Sequence, residues 1–297
     1  MASMITNDSG GSVLLLGASG QLGGMLRRHW PEGTALRCQW RKGPRNAPPG
    51  ACHFDLPTAG QPPSAQALKA AQGVGAILCL AGVTPAGAAA REDRLEANVD
   101  LGIAALTLMQ AAKVPRLLLA SSAAVYGAGA DGMHEGAALS PLNAYGRAKL
   151  AMERAVLARA GAGAGVTMLR IGNVAGADAI LGGWRPGMTL DRFADGRTPR
   201  RSYIGPVTLA RVLHDLCQGG ALPDMLNIAA PGEVEMGPLL DAAELKWTSR
   251  EAPPEAVAQV RLDTNALEAR VAFAPENGTP TGLVGEWLKD QEMIRTA

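Results

Sequence analysis

A glycine-rich turn near the start of the chain constrains the fold more than any other feature. The run LLLGASGQLGG places Gly17, Gly20 and Gly23 between an apolar segment, Ser12–Gly17, and a segment with helical periodicity, Gln21–Trp30. A short apolar run that leads through glycines into a helix is typical of the first strand–turn–helix unit of an α/β protein. The rest of the chain then has to supply further strands and the helices that cover them.

Short apolar runs and longer helical patterns do alternate along the chain. The further predicted strands are Ala35–Trp40, Ala51–Phe54, Ala76–Ala81, Arg116–Ser122, Val166–Asn173 and Met225–Ala229. The further predicted helices are Arg94–Lys113, Tyr145–Ala160 and Val207–Gly219. Nearly continuous apolar strands separated by helices indicate a parallel sheet that is covered on both faces. We therefore predict an α/β fold with a Rossmann-type, doubly wound parallel sheet.

The alternation weakens after Asn173, which suggests a second, smaller unit. Residues 174–206 are rich in Gly, Arg and Pro, and the region after Ala229 combines turn signals with what we interpret as short helices. We predict a flexible tail at 1–11 and a dinucleotide-binding domain made of 12–173 and 207–229. Residues 174–206 and 230–297 would then form a small, discontinuous substrate-binding lobe.

Composition argues against several functional classes. The 297 residues include 28 basic and 27 acidic side chains, giving a net charge of +1, and only 4% are aromatic. Such a chain neither attracts nucleic acid or anionic membranes at long range nor offers many stacking surfaces for bases. Four widely spaced cysteines without a CxxC pair predict reduced thiols and no metal site. We see no secretory signal and no membrane span, so we expect a cytoplasmic protein that acts on a small molecule.

The glycine turn also predicts a ligand. A strand that enters a helix through glycines lets the backbone approach a pyrophosphate, which the N–H groups of the helix can bind. A purely structural turn is the alternative. At the end of the second strand, a carboxylate would bind the ribose of NAD and an arginine would accommodate the 2′-phosphate of NADP. The chain has Arg41 and Lys42 there and no carboxylate. We favour NADP, with NAD as the alternative.

A candidate proton-transfer site lies between Ser121 and Lys149. Tyr145 and Lys149 are four residues apart at the start of a predicted helix, so both lie on one face of it. A nearby ammonium should lower the phenol pKa from its usual value of about 10. Ser122 closes a strand at the sheet edge where such folds bind ligands, so its hydroxyl could hold a substrate oxygen. The alternative is an exposed YxxxK pattern that arises by chance.

The ordered set of LLLGASGQLGG, SSAAVYG and YGRAK resembles the extended short-chain dehydrogenase/reductases, the NAD(P)-dependent epimerase/dehydratase superfamily. The resemblance implies that Ser122, Tyr145 and Lys149 are catalytic, and that Asn98 has a structural role on the long helix. It also implies that Asn173 faces substrate and that Arg201 binds a substrate phosphate, although Gly205 and Pro206 depart from the family pattern. The candidate cofactor-binding residues are Gly17, Ser19, Gly20, Gln21, Leu22, Gly23, Arg41, Lys42, Asp55, Leu56, Leu80, Ala81, Gly82, Asn98, Tyr145 and Lys149.

The type of reaction is less constrained than the site. Dehydratases of the family carry an acidic pair after the catalytic serine or threonine, and this chain has Ala123 and Ala124 there. We therefore expect carbonyl/alcohol redox chemistry or epimerisation on a sugar-nucleotide-like or smaller substrate, and not 4,6-dehydration. The alternative from another class is a regulatory or scaffold protein that binds NAD(P) without turnover. The sequence leaves open whether the protein forms a homodimer.

Overall fold

The protein is described by a computed structural model that covers residues 11–41, 47–57, 60–85 and 94–296. Nearly all of the predicted tail, residues 1–10, lies outside the described residues. Within the described part, no helix is both long and apolar enough to cross a membrane.

A seven-stranded sheet forms the centre of the fold, as the sequence predicts. The strands are β1 (Val13–Leu16), β2 (Leu36–Trp40), β3 (Cys52–His53), β4 (Ala76–Cys79), β5 (Leu117–Ser122), β7 (Val166–Ile171) and β12 (Met225–Ile228). Their order is β12-β7-β5-β4-β1-β2-β3, and every neighbouring pair is parallel. The order reverses direction between β1 and β4, which creates a crevice at the carboxyl ends of these strands. Ligands bind at such a crevice in open α/β sheets.

Helices cover both faces of this sheet. They are α1 (Gln21–His29), α2 (Ala65–Ala71), α3 (Ala97–Ala112), α4 (Ala144–Ala160) and α5 (Pro206–Gln218). Because side chains alternate across a strand, Val13 and Leu15 enter the core under α1 and α5. Leu14 and Leu16 enter the opposite core, under α2, α3 and α4. All four residues are fully buried, and this burial on both faces explains why the sequence of β1 is continuously apolar.

The remaining elements build the region that the sequence describes least well. Short strands β6 (Gly129–Met133), β10 (Arg200–Arg201), β13 (Val234–Glu235) and β15 (Gln259–Leu262) form a four-stranded sheet. Two-stranded sheets join β8 (Asn173–Val174) to β11 (Tyr203–Ile204), and β9 (Thr189–Arg192) to β14 (Thr248–Glu251). Helices α6 (Met236–Ala242) and α7 (Asn265–Glu268) are short, as expected. The last helix, α8 (Pro280–Thr296), has 17 residues, so the expectation of only short helices after Ala229 is wrong.

Helix α8 is anchored to the first helix of the fold by a buried carboxylate. Asp290 is fully buried and accepts hydrogen bonds from the guanidinium of Arg28 at 2.8 and 2.9 Å. It also pairs with Nε2 of His29 at 2.9 Å. Two adjacent residues at the end of α1 thus bind a single carboxylate on α8, and this contact fixes the last helix against the first.

Candidate active site

The glycine turn lies at the crevice and has little room for larger residues. Gly17 adopts φ +82°, which only glycine reaches without strain, and a Cβ there would lie 2.6 Å from the amide nitrogen of Ala81. A Cβ on Gly23 would overlap the carbonyl oxygen of Gly17. These glycines therefore allow close approach between the turn, the start of α1 and the end of β4.

The start of α1 offers free hydrogen-bond donors to a ligand. Gly20 is the N-cap and provides no side-chain bond to the first turn. Ser19, Gly20 and Gln21 are exposed, while Leu22 is half-buried. The first N–H groups of a helix have no partner within the helix and favour an anion such as pyrophosphate. The residues present thus fit the phosphates of a dinucleotide.

Gln39 is a site residue that the sequence reasoning missed. Its side chain is nearly buried, its Oε1 accepts from the Gly17 amide at 3.0 Å, and its Nε2 donates to the Phe54 carbonyl at 2.7 Å. It therefore holds the glycine turn in register with β2 and β3. The signal was present in the sequence, because a glutamine in the otherwise buried second half of a strand needs polar partners.

The ends of β2 and β3 contain the residues predicted to contact the adenosine half of the cofactor. Arg41 directly follows β2 and is exposed. Asp55 is exposed two residues after β3, and Leu56 beside it is half-buried. Lys42 lies outside the described residues. The exposure of Arg41 at this strand end leaves its side chain accessible to a bound ligand.

Asn98 fixes the backbone that follows β4. Its side chain is fully buried, accepts from the Val83 amide at 3.1 Å, and donates to the carbonyls of Val83 at 2.9 Å and Leu95 at 2.8 Å. These bonds hold the segment with Ala81 and Gly82 against the start of α3, which agrees with the structural role implied by the resemblance. Leu80, which precedes this segment, donates its amide to the Leu16 carbonyl at 2.9 Å.

Lys149 lies beneath this segment with its ammonium buried. Its Nζ donates to the Ala120 carbonyl on β5 at 2.9 Å. A Cβ on Gly82 would lie 3.0 Å from this Nζ and 2.9 Å from Oδ1 of Asn98, so Gly82 leaves the space that the lysine occupies. Burial lowers the Lys149 pKa from 10.5 to about 8, and nearby Cys79 and Glu153 oppose this shift.

Tyr145 and Ser122 meet at the carboxyl end of β5. The tyrosine is in the first turn of α4, which Asn143 caps by accepting from the Gly146 amide at 2.8 Å. Burial raises the pKa of Tyr145 above 10, and interaction with the Ser122 hydroxyl offsets part of the increase. The expectation of a lowered pKa is therefore wrong for the protein alone, because desolvation of the phenol dominates. Lys149 Nζ is 5.9 Å from the centre of the tyrosine ring.

A buried ion pair supports the three predicted catalytic residues. Glu153, one turn after Lys149 on α4, binds the guanidinium of Arg170 on β7 at 3.1 and 2.8 Å. Glu153 and Arg170 are only 2% and 1% exposed. Ser121, the residue before Ser122, donates its hydroxyl to the same carboxylate at 2.5 Å. The pair thus ties the helix of Tyr145 and Lys149 to the strand of Ser122.

The two predicted substrate residues lie on short strands of two different sheets, both outside the central sheet. Asn173 begins β8 and pairs with Tyr203 of β11, whose hydroxyl donates to Asp178 at 2.7 Å. Arg201 on β10 is half-buried and donates to the carbonyls of Val257 at 2.8 Å and Arg200 at 2.7 Å. Burial lowers the pKa of Arg201, and no carboxylate in the described part of the chain lies within ion-pairing distance of it. The hydrogen bonds of Arg201 go to backbone carbonyls and not to Ser122, Tyr145 or Lys149.

Comparison with protein-family models identifies the family of this chain. The model of the NAD dependent epimerase/dehydratase family matches residues 13–193, which span the glycine turn, Ser122, Tyr145, Lys149 and Asn173. The chain belongs to this family. No curated protein sequence matches it significantly.

Solved structures of similar fold cover almost the whole chain. An NAD-dependent NDP-hexosamine 5,6-dehydratase involved in tunicamycin biosynthesis, TunA, is 19% identical, with a TM-score of 0.72 over 95% of this chain and 98% of that one. MoeE5 in complex with UDP-glucuronic acid and NAD is 22% identical, with a TM-score of 0.68 over 96% and 100%. UDP-glucose-4-epimerase from Stenotrophomonas maltophila, with NAD and formylated UDP-arabinopyranose, is 19% identical, with a TM-score of 0.69 over 97% and 100%. At these identities the likeness establishes the fold.

Proposed function

We propose that the protein is an NAD(P)-dependent oxidoreductase or epimerase in which Tyr145 exchanges a proton with the oxygen of a carbonyl or alcohol carbon. One observation carries the proposal. The Tyr145 phenol faces Ser122 at the carboxyl end of β5, and the buried ammonium of Lys149 lies one helical turn away. This edge of the sheet is where ligands bind in folds of this kind.

Each of the three residues has a distinct task in this mechanism. The Ser122 hydroxyl donates to the substrate oxygen and orients it, while Tyr145 gives or takes the proton as that oxygen becomes an alcohol or a carbonyl. The raised pKa keeps Tyr145 protonated at neutral pH, which suits proton donation during reduction. In the oxidative direction, the Lys149 ammonium stabilises the phenolate that has to form. Bound NAD(P) would supply or accept the hydride.

The residues after Ser122 favour redox chemistry or epimerisation over 4,6-dehydration. Ala123 and Ala124 form the 3-10 turn that follows β5, and neither can protonate a leaving hydroxyl. Glu153 is the carboxylate tied to this strand, but it is buried and bound to Arg170. A dehydratase mechanism would need an acid that this segment does not provide.

Arg201 supports a phosphorylated substrate, such as a sugar nucleotide or a smaller relative. A half-buried guanidinium without a carboxylate partner in the described residues favours an anionic ligand. MoeE5 has been solved with UDP-glucose as well as UDP-glucuronic acid, and a UDP-N-acetylglucosamine 4-epimerase has been solved with UDP-N-acetylmuramic acid. These ligands define the substrate panel worth testing first. We further propose that the cofactor is NADP, with NAD as the alternative, because Arg41 occupies the strand end where a carboxylate would select NAD.

Turnover with a trace of cofactor tests the proposal and separates its two reactions. The protein is incubated with each sugar nucleotide and with small carbonyl compounds, at a cofactor concentration far below that of the substrate. Full conversion without net change in nicotinamide absorbance indicates epimerisation, and conversion limited to the amount of cofactor indicates a dehydrogenase or reductase. Loss of water from the substrate would contradict both. Tight cofactor binding with no conversion across the panel would favour the non-catalytic alternative.

A further inference from the structure

Arg27 on α1 lies against the end of β2, directly before Arg41. The centre of its guanidinium is 4.7 Å from the ring centroid of Trp40, the last residue of β2. Its Nε donates to the carbonyl oxygen of Ala18, within the glycine turn, at 3.1 Å. Arg27 therefore bridges the turn that fits the pyrophosphate and the strand end that precedes Arg41.

These contacts orient the guanidinium but leave most of its donors available. Arginine has five N–H donors in a rigid plane, and only the one on Nε is used by Ala18. Stacking on Trp40, which is 4% exposed, fixes the plane of the group. Arg27 itself is exposed, so its terminal nitrogens are accessible to solvent.

The charge of Arg27 also has no partner in the described residues. No described carboxylate lies within ion-pairing distance, and the terminal nitrogens make no hydrogen bond to described groups. Some exposed arginines of this protein are engaged by a carboxylate: Arg250, for instance, pairs with Asp191 at 2.7 Å. A planar, pre-oriented and unpaired guanidinium can bind a phosphate through two parallel hydrogen bonds.

We propose that Arg27 selects the cofactor by binding the 2′-phosphate of NADP from the side of α1, opposite Arg41. The ribose 2′ position lies at the end of the second strand in folds of this kind. Arg27 on α1 contacts the last residue of β2, and Arg41 is the residue that follows β2. The inference rests on the proposed preference for NADP, and it assigns part of that preference to a residue on α1, far in sequence from Arg41 and Lys42.

The simpler interpretation is that Arg27 only shields the Trp40 ring from water. The two interpretations differ in what happens to a ligand without the 2′-phosphate. If Arg27 only shields Trp40, its loss should change the affinity for adenosine ligands equally, whether or not they carry the 2′-phosphate. If Arg27 binds the phosphate, its loss should weaken only the ligands that carry it. Arg27→Met keeps the stem that packs on Trp40 and removes the charge and its donors.

Calorimetric titration with 2′,5′-ADP and 5′-AMP distinguishes these outcomes. We expect Arg27→Met to weaken 2′,5′-ADP binding by roughly ten- to hundredfold and to leave 5′-AMP affinity unchanged within about twofold. Arg27→Lys should recover part of the loss, because an ammonium keeps the charge but not the two-pronged geometry. Arg295→Met, which removes an exposed charge at the end of α8, controls for the overall change in charge.

Three results would overturn the assignment. Equal weakening of both ligands would reduce Arg27 to a packing residue, and unchanged 2′,5′-ADP affinity in Arg27→Met would remove it from the phosphate site. In either case the proposed preference for NADP would stand, provided that the parent protein binds 2′,5′-ADP more tightly than 5′-AMP. If the parent shows no such difference, the preference for NADP fails as well, and the titration of the parent alone reveals it.

Discussion

The ammonium of Lys149 donates to the backbone carbonyl of Ala120 at 2.9 Å, from a position that is only 4% exposed to solvent. A carbonyl dipole compensates a buried positive charge only in part, and the lysine pKa falls to about 8 as a result. Glu153 opposes part of this shift, but its carboxylate is already bound to Arg170. A buried ammonium with a lowered pKa, close to a tyrosine, is typical of a proton-transfer site. The lowered pKa also predicts how the stability of the protein depends on pH.

Replacing Lys149 with Met should change the dependence of stability on pH. In the folded protein the lysine loses its proton near pH 8, while in the unfolded chain it keeps the proton up to about 10.5. The unfolded state therefore binds more protons between these values, so the parent gains stability as pH rises through this window. The free energy of unfolding of the parent, relative to Lys149→Met, should increase by roughly 3 kcal/mol from pH 7 to above pH 10.

Urea unfolding of both proteins at several pH values, without cofactor, measures this difference. Lys289→Met on α8 is a matched control, because Lys289 is exposed and should show no such trend. A constant difference between the parent and Lys149→Met across the window would mean that the ammonium is not desolvated in solution.

Replacing Tyr145 with Phe tests proton transfer directly. The change removes one hydroxyl from a half-buried ring and leaves the Asn143 cap of α4 intact. We expect cofactor affinity and thermal stability to stay nearly intact, with turnover lower by roughly a hundredfold or more. Steady-state kinetics on any substrate found in the panel would show this. Turnover close to that of the parent would exclude Tyr145 from the mechanism.

Adding one carbon at Gly82 should displace the ammonium. An alanine Cβ there would approach Nζ of Lys149 to 3.0 Å and Oδ1 of Asn98 to 2.9 Å. Displacement of a catalytic group by even a fraction of an ångström reduces the rate, so we expect turnover to fall about tenfold or more. The control is Gly285→Ala on α8, where a Cβ meets nothing within 4 Å. Equal activity of Gly82→Ala and the parent would show that the segment after β4 yields without moving Lys149.

The sequence was sufficient to predict the central domain because its strands are buried on both faces. Runs such as VLLL and LLLASS are continuous and apolar, and each alternates with a helix of clear periodicity. The strands outside the central sheet were harder to predict because they are only two to five residues long, too short to show a period. Helix α8 was missed because its apolar face is broken by Glu286 and Asp290, which turn inward to Thr208 and Arg28.

The candidate site shows the same division between local and non-local information. Ser122, Tyr145 and Lys149 can be proposed from the sequence because each lies in a short motif on one element. The partners that hold them are not, since Glu153 and Arg170 are 17 residues apart and meet only when α4 packs beside β7. Gln39 and Arg27 likewise acquire their roles from contacts across the sheet edge, with Gly17 and Trp40. No spacing rule in a single sequence reports such contacts.

A double-mutant cycle on Glu153 and Arg170 gives the last prediction. Each single change, Glu153→Gln or Arg170→Met, leaves the other charge buried without its partner, which typically costs 3–5 kcal/mol of unfolding free energy. The double change removes both charges, so it should cost clearly less than the sum of the single changes, with a coupling of about 2 kcal/mol or more. Full recovery is not expected, because Arg170 also donates to the Tyr126 hydroxyl at 3.0 Å and the Glu135 carbonyl at 2.9 Å. Denaturant titration of the four proteins at pH 7 supplies the cycle, and strictly additive costs would show that the two side chains are stabilised by separate partners.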